Sequence, residues 1–74
     1  MRLYEIIKFD NCHAVVGYLM NMENYLKGSG PDTETINSII ETFNDPENNQ
    51  QMSICFWKNE DVRQLYKKIE KYLL

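Results

Sequence analysis

Two cysteines, one histidine and eleven carboxylates are the groups in this chain with the chemistry to act on a substrate or hold a metal. Cys12 and His13 stand side by side at the start of a predicted helix. A helix N-terminus lowers a thiol's pKa and sharpens it as a nucleophile, so a thiol-dependent enzyme or redox sensor at Cys12 is one reading. Adjacent helical residues point about 100° apart, however, which places His13 poorly as a base for Cys12. The plainer reading is a helix-start residue beside a surface histidine. A single His with two distant Cys does not make a tetrahedral metal site, and the carboxylates lack calcium-loop spacing. Glu41 with Asp45, and Glu60 with Asp61, read as solvated or helix-start positions. Gly28-Ser29-Gly30 lacks the Lys-Ser/Thr of a phosphate loop and follows a helix instead of a strand. No catalytic, cofactor-binding or metal residue is expected, and no cofactor.

The composition narrows the classes further. A length of 74 residues implies one domain, 1–74, near the lower limit for a single unstapled core. Cys12 and Cys55 are expected as free thiols, at least one of them filling the core. The charges in Met1–Glu5 argue against a secretory signal, and no run of about 18 apolar residues suggests a membrane span. The expectation is a cytoplasmic protein that does not contact membranes. Net charge is −3, whereas proteins that grip nucleic acid need a basic face. Arg63, Lys67, Lys68 and Lys71 form the one basic cluster, on the last helix. A nucleic-acid or nucleotide binder using that cluster is the alternative, and it is disfavoured because no exposed stacking aromatics interleave it.

The elements that must position these groups are clearest at the C-terminal end. Met52 to Trp57 alternates and is rich in aromatic and β-branched residues, the pattern of a half-buried strand. Asn59 then caps a helix whose stripe is Val62, Leu65, Tyr66, Ile69, Tyr72 and Leu73. Residues 2–9 are a first strand candidate. A helix from near Cys12, capped by Asp10 or Asn11, carries Val15, Leu19, Met22 and Leu26 on one face and stops at Gly28-Ser29-Gly30-Pro31. The segment 33–44 fits a helix by its Ile36, Ile39, Ile40 and Phe43 stripe, and a strand by its wealth of Thr and Ile. A hairpin through Asn44–Asn49 would set Ile39 against Ile54 and Ile36 against Trp57, and cross-strand pairs of that kind stabilise a sheet. The expected fold is therefore α+β: a two-layer β-α-β-β-α domain with a three-stranded sheet and both helices on one face. The alternative order is β-α-α-β-α.

In that arrangement Ile39, Phe43, Met52, Ile54 and Phe56 face the helices, and Tyr4, Ile6, Ile36, Ile40 and Trp57 form the opposite face. Nine aromatic residues are many for so small a core, and some must lie at a rim or interface. The expected function is a non-enzymatic protein-binding module, an acidic inhibitor or adaptor that occludes a partner with a basic surface. The same apolar face is expected to support a homodimer. In style alone, being tiny, acidic and aromatic-rich without a catalytic constellation, the chain resembles phage- and mobile-element-encoded inhibitors of host enzymes and defence systems. That resemblance covers no specific residues.

Overall fold

Four short polar side chains start four helices. Asn11 Oδ1 accepts from the Ala14 N–H at 2.9 Å, Asp32 Oδ1 from Thr35 at 2.7 Å, Asp45 Oδ2 from Asn48 at 3.1 Å, and Asn59 Oδ1 from Asp61 at 2.8 Å. Each bond satisfies an N–H group that a helix start leaves without an internal partner. The computed structural model describes residues 6–30 and 32–73, and there the helices are α1 (Cys12–Ser29), α2 (Thr33–Asn44), α3 (Pro46–Lys58) and α4 (Glu60–Leu73). The joints are minimal. Asp45 and Asn59 each end one helix and begin the next, donating their backbone N–H back to Glu41 O and Cys55 O respectively. At the end of α1, Gly30 takes φ 78°, the left-handed region that glycine enters without strain, and its N–H closes on Leu26 O.

This architecture is all-α, and no strand occurs among the described residues. The expected three-stranded sheet is corrected at each of its members. Residues 33–44 are helix, as in the alternative order, but 50–57 are helix too, so neither order holds. Residues 6–10 are non-helical without a sheet partner, and Tyr4 lies outside the described residues. The reason for α3 is local. Asp45-Pro46-Glu47 is a helix-start signature, with an N-cap, a proline whose missing N–H is not needed at the first turn, and an acid facing the dipole. The alternation of Met52 to Trp57 is coincidental to the true period. Asn48, Met52 and Cys55, at four- and three-residue steps, are the buried positions, while Ile54 is 41% exposed.

The core draws Val15, Leu19 and Leu26 from α1, Ile39 and Phe43 from α2, Met52 and Cys55 from α3, and Val62 and Ile69 from α4. The α1–α4 pairing is the most extensive contact between elements. Leu65 is only partly buried against this cluster, so Ile69 is the fully enclosed member of the α4 pair. Cys12 and Cys55 are joined in a disulfide with Cα atoms 5.5 Å apart, a correction to the free thiols expected from their separation in sequence. Packing α3 across the start of α1 brings together two residues that no sequence spacing relates.

The segment before α1 is held by side chains instead of a ladder. Asn48, 1% exposed, accepts from the Phe9 N–H at 2.9 Å and donates to Ile7 O at 2.6 Å and Thr42 O at 3.0 Å. Lys8 Nζ pairs with Asp45 at 2.7 Å, and Gln51 Nε2 donates to Asp10 O at 3.2 Å. The Lys8 hydrogen bond, with the Asn48 N–H, holds the Asp45 carboxyl below the usual carboxylate range. Phe9 is thereby seated in the core with its ring 5.3 Å from that of Tyr18.

Tyr18 carries an unsatisfied hydroxyl into that core. Burial pushes its phenol above the ordinary value, and the Thr42 hydroxyl offsets part of the shift. No full hydrogen bond forms between them, and both oxygens are buried without a partner among the described residues. A tyrosine whose folded pKa is raised contributes stability fully present below its unfolded pKa of about 10 and lost as pH rises through the folded value. Tyr18→Phe is therefore expected to melt at or above the wild-type temperature at neutral pH and to lose less stability above about pH 10. Thermal melts of both proteins across that range check it. A Tyr18→Phe variant that melts well below wild type at neutral pH would show that the hydroxyl has a partner.

Candidate functional site

The exposed face of α3 carries the most exposed large apolar side chain among the described residues. Trp57 is 81% exposed, although it is the largest apolar side chain in the protein. Its position follows from the helix period: with Asn48, Met52 and Cys55 turned inward, Trp57 and Gln50 point outward. Alongside Trp57 runs an open groove of about 260 Å³, lined by Asn49, Met52, Ser53, Phe56 and Tyr66 together with Trp57 itself.

The groove is backed by a file of rings that leads into the core. Trp57 meets Phe56 edge-on with centroids 6.2 Å apart, Phe56 meets Tyr66 edge-on at 6.2 Å, and Tyr66 lies 5.8 Å from Phe43. Phe43 continues to Tyr18 at 6.2 Å and Tyr18 to Phe9. Edge-to-face contacts of this kind fix ring orientation. The joint between α3 and α4 is fixed as well, because Arg63 Nη1 donates to Phe56 O at 2.6 Å and so satisfies a carbonyl in the last turn of α3. The face is thus built on packed elements and needs little ordering when something docks on it.

The residues expected at an interface are dispersed by the corrected fold. Trp57 and Ile40, the latter 36% exposed, lie on α3 and α2. Ile36 is half-buried on α2, and Ile6 is half-buried in the segment before α1. A common sheet face cannot unite them, because no sheet occurs among the described residues. Ser53, Asn49 and Tyr66 were missed as neighbours of Trp57. The four-residue steps Asn49, Ser53, Trp57 are the signal that points to them once α3 is a helix.

Cys12 is bonded to Cys55, and His13 is exposed. Three of the four cations in the α4 cluster are engaged within the chain. Besides Arg63, Lys68 lies 3.8 Å from Glu23, and Lys71 sits over the Tyr72 ring at 5.4 Å from its centroid. Two further open clefts lie elsewhere, of about 260 Å³ and about 590 Å³, the second larger than the groove beside Trp57. One lies between α1 and α4 around Met20 and Leu65, and the other is bordered by Tyr25 and Asp32, whose carboxyl accepts from Tyr25 at 3.2 Å. Hydrogen bonds from Thr35, its backbone N–H first, lower the Asp32 pKa, as befits an N-cap. Among the described residues no three His, Cys, Asp or Glu side chains come together, and no described helix is long and apolar enough to cross a membrane. Comparison with protein-family models, with curated proteins and with solved structures finds no match to this chain.

Proposed function

We propose that the chain is a non-enzymatic protein-binding module, an inhibitor or adaptor that acts by covering a surface of a partner protein, with Trp57 as its anchor. The observation that carries this reading is an indole 81% exposed at the edge of an aromatic groove. Leaving so large an apolar ring in water forgoes a burial worth about 2–3 kcal/mol, and tryptophan is the side chain most enriched among energetic anchors of interfaces. The groove's size supports a protein partner over a metabolite. About 260 Å³ falls below the roughly 300–1,000 Å³ of sites that enclose small ligands. Charge supports a basic surface on the partner, since residues 32–58 hold Asp32, Glu34, Glu41, Asp45 and Glu47 against Lys58 alone. Such asymmetry steers encounter more than it adds affinity.

Trp57→Glu tests the reading, because at so exposed a site it is expected to leave the circular dichroism melt unchanged. A protein retained by wild type, released by Trp57→Glu and bound at defined stoichiometry by the purified pair in calorimetry is the expected result. The single tryptophan should shift its emission to shorter wavelength on complex formation. Retention indifferent to Trp57 refutes the reading. Binding to generic RNA or DNA that weakens steeply with salt, and with loss of Lys67 and Lys71, would replace it with the nucleic-acid alternative.

A further inference from the structure

Resting on the reading above, we propose that in the absence of a foreign partner the Trp57 face is covered by a second copy of the chain, with α3 packed antiparallel to α3 of the other copy about a two-fold axis at Ser53. Asn49, Ser53 and Trp57 succeed one another at four-residue steps and so form one row along the outer face of α3, about 12 Å from end to end. The row is self-complementary. Turned over about Ser53, the bulky Trp57 of one copy falls opposite the smaller Asn49 of the other. Its indole then enters the groove floored by Met52, Phe56 and Tyr66.

Knob and groove on one surface are what a closed two-fold contact requires, because each copy must offer both. A foreign partner would need only one of them. Ser53, small and exposed at the centre of the row, lets the two helices approach. Charge selects the same contact. The chain carries −3, and its acidic α2–α3 region would oppose like charges in most encounters between copies. None of the six residues around the groove is charged, so no like charges are set against each other within the groove itself. The size of the groove suits one large side chain, and among the described residues Trp57 is the one large apolar side chain almost wholly in solvent.

Light scattering coupled to size exclusion, from low to high micromolar concentration, reads the association directly. The full chain is expected to approach twice its monomer mass while its tryptophan emission moves to shorter wavelength and becomes less accessible to acrylamide. Trp57→Ala is expected to weaken association by at least about thirtyfold, with an unchanged thermal melt. Ser53→Cys is expected to cross-link into a covalent dimer under mild oxidation, because the axis brings position 53 of both copies together. Gln64→Cys, exposed on α4 away from the row, serves as its control. A wild type that stays monomeric at high micromolar concentration overturns the dimer, yet leaves Trp57-dependent binding of a foreign protein standing. A dimer that survives Trp57→Ala, or cross-linking equal at positions 53 and 64, overturns it as well.

Discussion

Reduction of the Cys12–Cys55 bond is expected to remove about 4 kcal/mol of stability and to lower the melting temperature by roughly 16–32 °C. The bond closes a loop with a sequence separation of 43, and closing so long a loop takes conformational freedom chiefly from the unfolded chain. A domain of this length has roughly 4–11 kcal/mol in total, so the loss is a third of it or more. Cys55 is fully buried and belongs to the core, so Cys55→Ala adds a packing defect to the lost link. Cys12→Ala isolates the link better. Melts by circular dichroism with and without reductant, for wild type and Cys12→Ala, check this. Cys12→Ala should match reduced wild type and ignore reductant. A wild type that melts within a degree or two in either condition would show the bond to be dispensable. Disulfides persist in oxidising surroundings and are rare in the cytosol, so the same sequence is a robust domain in one setting and a marginal one in the other.

Asn48→Ala is expected to cost on the order of 3 kcal/mol, because it strands three backbone groups at once. The Phe9 N–H and Thr42 O lose their partner in buried surroundings and Ile7 O in partly buried ones. Asn48→Asp should be as damaging, since a carboxylate keeps the acceptor for Phe9 but turns oxygen toward two carbonyls. The effect should be directional. Amide exchange should accelerate at Phe9 while α4 keeps its protection in proportion to global stability. If Asn48→Ala melted like wild type, the segment before α1 would not be held by this side chain.

The two outer helices could be read from sequence because cap, stripe and stop agreed there. Asn59 is the cap expected and Asn11 one of the two offered for α1, and Val15, Leu19, Leu26, Val62 and Ile69 are buried at helical spacing. The middle of the chain departs from the expected strands for two physical reasons. Thr and Ile in 33–44 disfavour helix only by tenths of a kcal/mol each, and Asp32 and the burial of Ile39 and Phe43 outweigh that. In 46–58 the polar residues Glu47–Gln51 concealed a helix start. Asn48 looks like loop composition and is in fact a core residue satisfied by backbone at long range, which no local pattern reveals. The site suffered accordingly. Trp57 stood out as an aromatic residue in excess of the core's needs, but its neighbours follow from the period of α3, and that period was assigned as two.

The joints at Asp45 and Asn59 bear on how quickly the molecule forms. A one-residue joint leaves no slack, so when α3 and α4 begin to form, each start is primed by the residue that ends its predecessor. Contacts of α2 with α3 and of α3 with α4 close short loops and can form early, whereas the α1–α4 pairing, the most extensive of all, joins distant parts of the chain and closes late. The Phe9–Asn48 and Cys12–Cys55 links span about forty residues and must wait for that framework, since their loop closure is rewarded only once α3 exists. In oxidative refolding, helical signal should therefore return before protection at Phe9, and the joints should tolerate insertions poorly because added residues separate each stop from the next start.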